Sequence, residues 1–283
     1  MVATAASAPI AIVTGASAGI GLYTALGLAR AGMRVVLTGR NRERTEAARR
    51  RVAAVASGPA PSVALADFAS LADVRTLAAA LLAEYPRIDV LVNNAGLIAP
   101  RRENSADGYE LTIAVNHLAP FLLTLLLLDR LKQSAPSRVV TVASQAHKGA
   151  LVDPAAMTNP PEWSPLSAYG RSKLCNILFT RALARRLGGS AVTATCLHPG
   201  AVATQIGNRA GILASLGWRL AKPFLTRPEQ GAATSLFLAT VPDPAPFAGA
   251  YVIGTAIAQT DPAARDDRLA GVLWTESTRL VGL

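Results

Sequence analysis

The run Ile10-Ala11-Ile12-Val13-Thr14-Gly15-Ala16-Ser17-Ala18-Gly19-Ile20-Gly21 joins a short apolar segment to a glycine-rich turn and then to a helical pattern. Residues 10–14 are too few for a stable helix and rich in β-branched side chains, so they read as a buried strand. From residue 19 to 31 the apolar residues follow helical spacing. Gly15, Gly19 and Gly21 let the chain turn sharply between the two, and the amino end of the helix then presents unpaired N–H groups, a seat suited to a pyrophosphate. Ser17 and Ile20 fall inside that seat. The spacing G-x-x-x-G-x-G differs from the general G-x-G-x-x-G dinucleotide fingerprint, so the turn alone also fits a purely structural role.

Working outward, the same alternation repeats. Strand-like runs occur at 10–14, 34–38, 62–66, 88–92, 138–143, 191–197 and 250–253, separated by helical segments near 19–31, 41–56, 70–84, 105–132, 168–187 and 228–239. Such alternation predicts an α/β fold: a doubly wound, seven-stranded parallel sheet with helices on both faces and ligands at the carboxyl ends of the strands. With 283 residues, 51% of them hydrophobic, and no Pro/Gly/Ser linker, residues 1–283 are expected to form a single domain. Its dinucleotide-binding half would span about 8–145. The stretches 147–166 and 202–227 are long for connections and are candidate substrate loops. Trp163 and residues 212–224, Trp218 among them, supply either an apolar lid or core packing. The run 265–283 reads as a helix with Leu269, Val272, Leu273 and Trp274 on or near one face.

The net charge of +10 comes mostly from scattered Arg residues, which argues against a nucleic-acid partner and favours anionic ligands such as a cofactor phosphate. Arg42 to Arg50 suit a solvated helix face. Cys175 and Cys196 stand alone in apolar surroundings and are expected to be buried, reduced thiols. His117, His147 and His198 lie on different elements without ligand spacing, so no metal is expected. His147 follows Ser144 closely enough to face a substrate mouth, although a bond to backbone would also account for it. The first nine residues show neither a signal nor an anchor pattern. The longest apolar stretch, Leu118 to Leu128, has 11 residues where a bilayer needs about 20. It is expected to be a buried helix, with no integral membrane segment and a cytoplasmic location.

The second strand ends Thr38-Gly39-Arg40-Asn41. An acidic side chain there would bond both ribose hydroxyls of NAD; a guanidinium instead grips a 2′-phosphate, so Arg40 favours NADP(H), unless it merely starts a solvated helix. In Ser167-Ala168-Tyr169-Gly170-Arg171-Ser172-Lys173, Tyr169 and Lys173 lie four apart on one helical face. A free phenol titrates near pH ~10, and an adjacent ammonium is expected to lower that value toward useful acid/base chemistry. Ser144, closing the fifth strand, would either polarise a substrate carbonyl or simply terminate the strand.

Together these residues resemble the short-chain dehydrogenase/reductase family, a Rossmann-type fold, along essentially the whole chain. The likeness rests on TGxxxGxG at Thr14 to Gly21, NNAG at Asn93 to Gly96, Asn116, Ser144, YxxxK at Tyr169 to Lys173, and Pro199-Gly200. Val115 to Leu118, Ser172 to Phe179, Leu197 to Gly200 and Pro228 to Ala233 are most similar to the branch of retinol dehydrogenases, WW-domain oxidoreductases and protochlorophyllide reductases. The resemblance implies a hydride-transferring enzyme. Tyr169 would be the proton donor or acceptor, Ser144 would hold the reacting oxygen, and Lys173 would tune Tyr169 and hold the nicotinamide ribose. Asn116 would anchor a relay water. Asp67 and Phe68 would lie at the adenine, Asn94, Ala95 and Gly96 beside the adenine ribose, and Pro199, Gly200, Val202 and Thr204 over the nicotinamide. A lipophilic aldehyde, ketone or alcohol of retinoid, steroid, terpenoid or polyketide type is the expected substrate, with imine reduction, epimerisation, isomerisation or non-catalytic NADP(H) sensing as alternatives. Cys175 departs from the Ala usual in that branch. Helices 105–132 and 168–187 commonly form the family's dimer interface, whereas the long loop before Tyr169 resembles monomeric relatives, so homodimer, homotetramer and monomer all stay open.

Overall fold

The computed structural model describes residues 8–200 and 227–283. Among them, eight strands form one sheet in the order β3-β2-β1-β4-β5-β6-β7-β8. They are β1 (Ile10–Val13), β2 (Arg34–Gly39), β3 (Ser62–Leu65), β4 (Val90–Asn93), β5 (Ser137–Val142), β6 (Val192–His198), β7 (Tyr251–Ile253) and β8 (Ala256–Ile257). The first seven run parallel, as the alternation predicts. The eighth corrects the expected count: β8 returns antiparallel along β7 after a two-residue turn at Gly254-Thr255, where Gly254 takes a φ of +63°. Two exposed residues are too few to leave a periodic trace.

Side chains alternate across the sheet with period two, which sorts the strands' apolar residues onto two cores. Ile12, Leu91 and Val139 face one cluster with Leu122, Leu123 and Leu178. Val13, Val92 and Val140 face the other with Leu28 and Leu238. The first face is covered by α3 (Leu71–Glu84), α4 (Leu111–Gln133), α5 (Pro165–Arg186) and α7 (Asp267–Val281). The second is covered by α1 (Gly19–Arg30), α2 (Arg42–Ala53) and α6 (Pro228–Thr240). Gly27 lets α1 and α6 meet closely, since a Cβ there would come within 2.5 Å of Leu236.

Two helix starts are set by local chemistry. Helix α4 begins at 111 and not near 105, because Asn104 bridges to Glu110 and Gly108 reverses the chain at φ +82°. The Glu110 carboxylate then caps it, accepting from the N–H of Thr112 (3.0 Å) and Ile113 (2.9 Å). Helix α5 starts earlier than the predicted 168 through a capping box between Ser164 and Ser167, with Pro165 in its first turn. In α7 the buried residues are Ala270, Leu273, Ser277, Leu280 and Val281, while Val272, expected on or near the inner face, is half exposed.

Helix α4 is apolar and long enough, by composition, to cross a bilayer, yet 78% of its most apolar stretch is buried inside the fold. Its second turn, Ala114–Leu118, is a π-helical insertion that includes Asn116. Because β1 lies between β2 and β4, the chain winds outward in both directions from it. A crevice therefore opens at the carboxyl ends of β1 and β4.

Candidate active site

The glycine turn sits at that crevice. Gly15 (φ +65°) and Gly19 (φ +57°) take conformations that favour glycine, and a Cβ on Gly21 would lie 2.4 Å from Asn94 Nδ2 and 2.5 Å from the Gly15 carbonyl. Thr14 ties the turn to the neighbouring strand end: its Oγ1 accepts from the N–H of Asn94 and Ala95, both at 2.9 Å, and donates to Val92 O. Asn94 Nδ2 donates back to Thr14 O at 2.7 Å. Ala18, the residue before α1, gives its first turn no side-chain cap, so those N–H groups face the crevice as donors for an anion. The cradle fits a dinucleotide pyrophosphate on these grounds. Ser17 lies beside Gly39 at the end of β2, 3.6 Å from where a Cβ would stand.

Beyond the turn, Arg40, Asn41, Leu65, Ala66, Asp67 and Asp73 line a cleft of about 420 Å³. Arg40 Nη1 stands 3.8 Å from Asp67 Oδ2, with both side chains about half exposed. No carboxylate closes β2, as the sequence shows, and the one beside Arg40 is Asp67, just beyond the end of β3. An exposed pair of this kind is worth about 0–1 kcal/mol, so it holds Arg40 only weakly. Phe68 turns its ring into the core.

At the other end of the crevice, Lys173, Asn116 and Gly96 converge. A Cβ on Gly96 would lie 3.3 Å from Asn116 Oδ1 and 3.6 Å from Lys173 Nζ. Asn116, fully buried, donates to Leu97 O (2.9 Å) and Ser172 Oγ (3.0 Å) and accepts from Leu97 N (2.8 Å). Its side chain therefore braces α4 against both the β4 loop and α5. Ser172 passes the brace on by donating to Tyr169 O at 2.7 Å. Neither Thr14 nor Ser172 was singled out from sequence, although each lies inside a quoted motif: a short hydroxyl carries no signal until its partners are placed.

Lys173 is buried, donates to Val142 O at 2.9 Å, and holds its ammonium 5.4 Å from the Tyr169 ring centre. Desolvation lowers its pKa to about 8. Tyr169 departs from the sequence expectation. Burial raises its phenol above the ordinary value, opposed by a hydrogen bond with Ser144. The phenol's own desolvation is the larger effect and outweighs the Ser144 bond. Ser144 Oγ accepts from Ala146 N at 3.1 Å, which leaves its proton available to another oxygen.

Pro199 and Gly200 (φ +87°) follow β6 at the same edge of the sheet. Val202, Thr204, Trp218 and the candidate lid and loop at 202–226 lie outside the described residues. The other candidate loop, 147–166, is anchored through Trp163, whose Nε1 donates to the Glu110 carboxylate at 3.2 Å. His147 does not face a mouth; its ring is buried and bonded to backbone. Cys175 and Cys196 are buried thiols whose pKa values burial pushes up to about 12.

Comparison with known proteins agrees with this geometry. A family model described as short chain dehydrogenase matches residues 9–211. The dehydrogenase/reductase SDR family member 13 of Bos taurus is 44% identical over 96% of this chain and 73% of its own. Retinol dehydrogenase 13 of Homo sapiens is 40% identical over 96% of this chain and 84% of its own. Among solved structures, the RhlG/NADP active-site complex of Pseudomonas aeruginosa superposes with a TM-score of 0.69 at 28% identity, covering 88% of this chain and 95% of that one. On the strength of the matched residues and of this sheet, the chain belongs to the short-chain dehydrogenase family of oxidoreductases, in its retinol dehydrogenase-like branch.

Proposed function

We propose that this oxidoreductase uses NADP(H) and interconverts a lipophilic carbonyl compound and its alcohol. The observation that carries the reading is the convergence of Ser144, Tyr169, Lys173 and Asn116 beside a cradle suited to a dinucleotide. When bound, the nicotinamide would supply or accept the hydride. Tyr169 Oη gives its proton to the oxygen of a carbonyl being reduced and takes it back in the alcohol direction. A phenol whose pKa is raised rests protonated at neutral pH, the form that reduction needs. Ser144 Oγ, already accepting from Ala146 N, directs its own proton at the same oxygen and stabilises the charge that develops there. Lys173 would hold the nicotinamide ribose. Because the Asn116 side chain is occupied by Leu97 and Ser172, its main chain in the π turn would be the group that anchors a relay water.

Arg40 supports NADP(H) as the guanidinium that, among the described residues, lines the cleft beyond the glycine turn, and the structural relative bound to NADP is consistent with it. Gly15 to Gly21 and Asn94 to Gly96 would form the cradle, Asp67 with the Phe68 main chain would close its adenine end, and Pro199 and Gly200 would stand at the nicotinamide. A lipophilic substrate is supported by Leu151 and Leu166, which stand exposed within and at the end of the 147–166 loop. The test is a panel of aliphatic and aromatic aldehydes and ketones with NADPH. Tyr169→Phe is expected to lower kcat by about 10²–10⁴-fold while leaving NADPH binding, read by fluorescence titration, unchanged. Full turnover in that variant would overturn the chemistry.

A further inference from the structure

The peptide unit that joins Ser144 to Gln145 is held at both polar ends by imidazole rings. Its carbonyl oxygen lies 2.6 Å from Nδ1 of His147, and its N–H donates to Nδ1 of His198 at 3.3 Å. A carbonyl can only accept and an N–H can only donate, which fixes the two tautomers in opposite senses: His147 carries a proton on Nδ1 and His198 does not. His147 is fully buried and packs edge-to-face on Tyr251, ring centres 5.1 Å apart. Its own backbone N–H also donates to the Ser144 carbonyl, at a longer 3.2 Å.

Rotation about the Cα–C bond of Ser144 is the freedom that would swing this peptide plane. With the plane gripped, and Ser144 Oγ bound to Ala146 N, the hydroxyl has little left to vary. On the far side of the turn α5 allows no retreat: a Cβ on Gly170 would stand 2.7 Å from Ala146 O. We propose that His147 and His198 are positioning residues, a pair that clamps the Ser144–Gln145 peptide and thereby sets where the Ser144 hydroxyl meets the substrate oxygen. The inference rests on the role given to Ser144 above.

The experiment compares variants of the whole chain by kinetics and by amide hydrogen exchange at Gln145. His147→Leu fills the space without a donor and is expected to lower kcat on the order of 10²-fold with the KM for NADPH unchanged, the scale of loss typical of a misplaced reacting group. His147→Asn, whose Nδ2 replaces the ring Nδ1, is expected to recover turnover to within a few-fold. His198→Phe and His198→Asn should form the same pair, and the two variants without the polar atom should speed exchange at Gln145. If packing alone mattered, Leu at 147 would be tolerated better than Asn and the Gln145 amide would be unmoved; either result overturns the clamp. Ser144→Ala separates the two levels. Full turnover in Ser144→Ala overturns the reading beneath, whereas its loss alongside full turnover in His147→Leu overturns the clamp alone. Exchange at Gln145 reports on the clamp even where no substrate in the panel is turned over.

Discussion

Asp67 holds Arg40 only weakly, since both side chains are about half exposed and 3.8 Å apart, so little opposes the guanidinium turning to a ligand phosphate. A bidentate charged bond to a phosphate is stronger than that pair. Arg40→Asp is therefore expected to raise the KM for NADPH at least about tenfold, roughly 1.4 kcal/mol, and to raise that for NADH far less. Steady-state kinetics with both coenzymes checks it, and equal KM values for NADPH in the parent and the variant would remove Arg40 from the site. The candidates themselves could be picked from type and spacing: Gly15 for its lack of a side chain, and Arg40, Ser144, Tyr169 and Lys173 for the chemistry of one group each. What could not be read was the company they keep. Asp67 reaches Arg40 from another strand, Ser172 and Leu97 reach Asn116 across two loops, and the Lys173 ammonium is spent partly on Val142 O. Each of those contacts spans at least 19 residues and is set by the packing of whole elements.

Among the elements, α4 carries the most consequence, because its π turn holds Asn116 while its first turn is pinned by a single buried carboxylate. Glu110, 1% exposed, accepts from Thr112 N, Ile113 N and Trp163 Nε1, so one side chain joins the start of α4 to the 147–166 loop. Glu110→Ala strands three donors and is expected to cost about 1–3 kcal/mol. Urea unfolding measures it, and a change within about 0.5 kcal/mol would show that the cap is replaced by other groups. Among the described residues periodicity located each long helix but placed the start of α4 six residues early, because the run Ser105 to Glu110 does not by itself mark the reversal at Gly108. The short antiparallel β8 was invisible for a related reason: a strand needs several alternations to show, and this one has two residues. Helix α7 was read with Val272 on or near its inner face, since the pattern of Leu269, Val272, Leu273 and Trp274 does not separate adjoining faces as the observed i, i+3, i+7 burial of Ala270, Leu273 and Ser277 does.

Across the whole molecule, a buried histidine links stability to pH. His117, in the π turn of α4, bonds Ser277 of α7 through Nε2 at 2.9 Å and lies against Phe121 and Phe179. Desolvation lowers its pKa from 6.5 to about 4. The unfolded chain takes up a proton as pH falls below about 6.5, while the folded chain stays neutral until about 4. Stability at this group is therefore full above pH 6.5 and is lost between 6.5 and 4, a total on the order of 3 kcal/mol. Urea midpoints at pH 7 and 4.5 should differ by most of that amount, and His117→Gln should shrink the difference; an equal acid loss in the variant would assign it to other groups. Helix α7 takes part in more than this one bond. Trp274 packs on Phe121 and Phe179, Arg181 and Arg185 reach Asp267, Tyr109 donates to Leu280 O, and Arg75 donates to Val281 O and Gly282 O. Residues 267–281 thus act as a clasp: with them undocked, the apolar flank of α4 and α5 would be bare, and a chain still holding Ser144, Tyr169 and Lys173 would present a sticky surface to its neighbours.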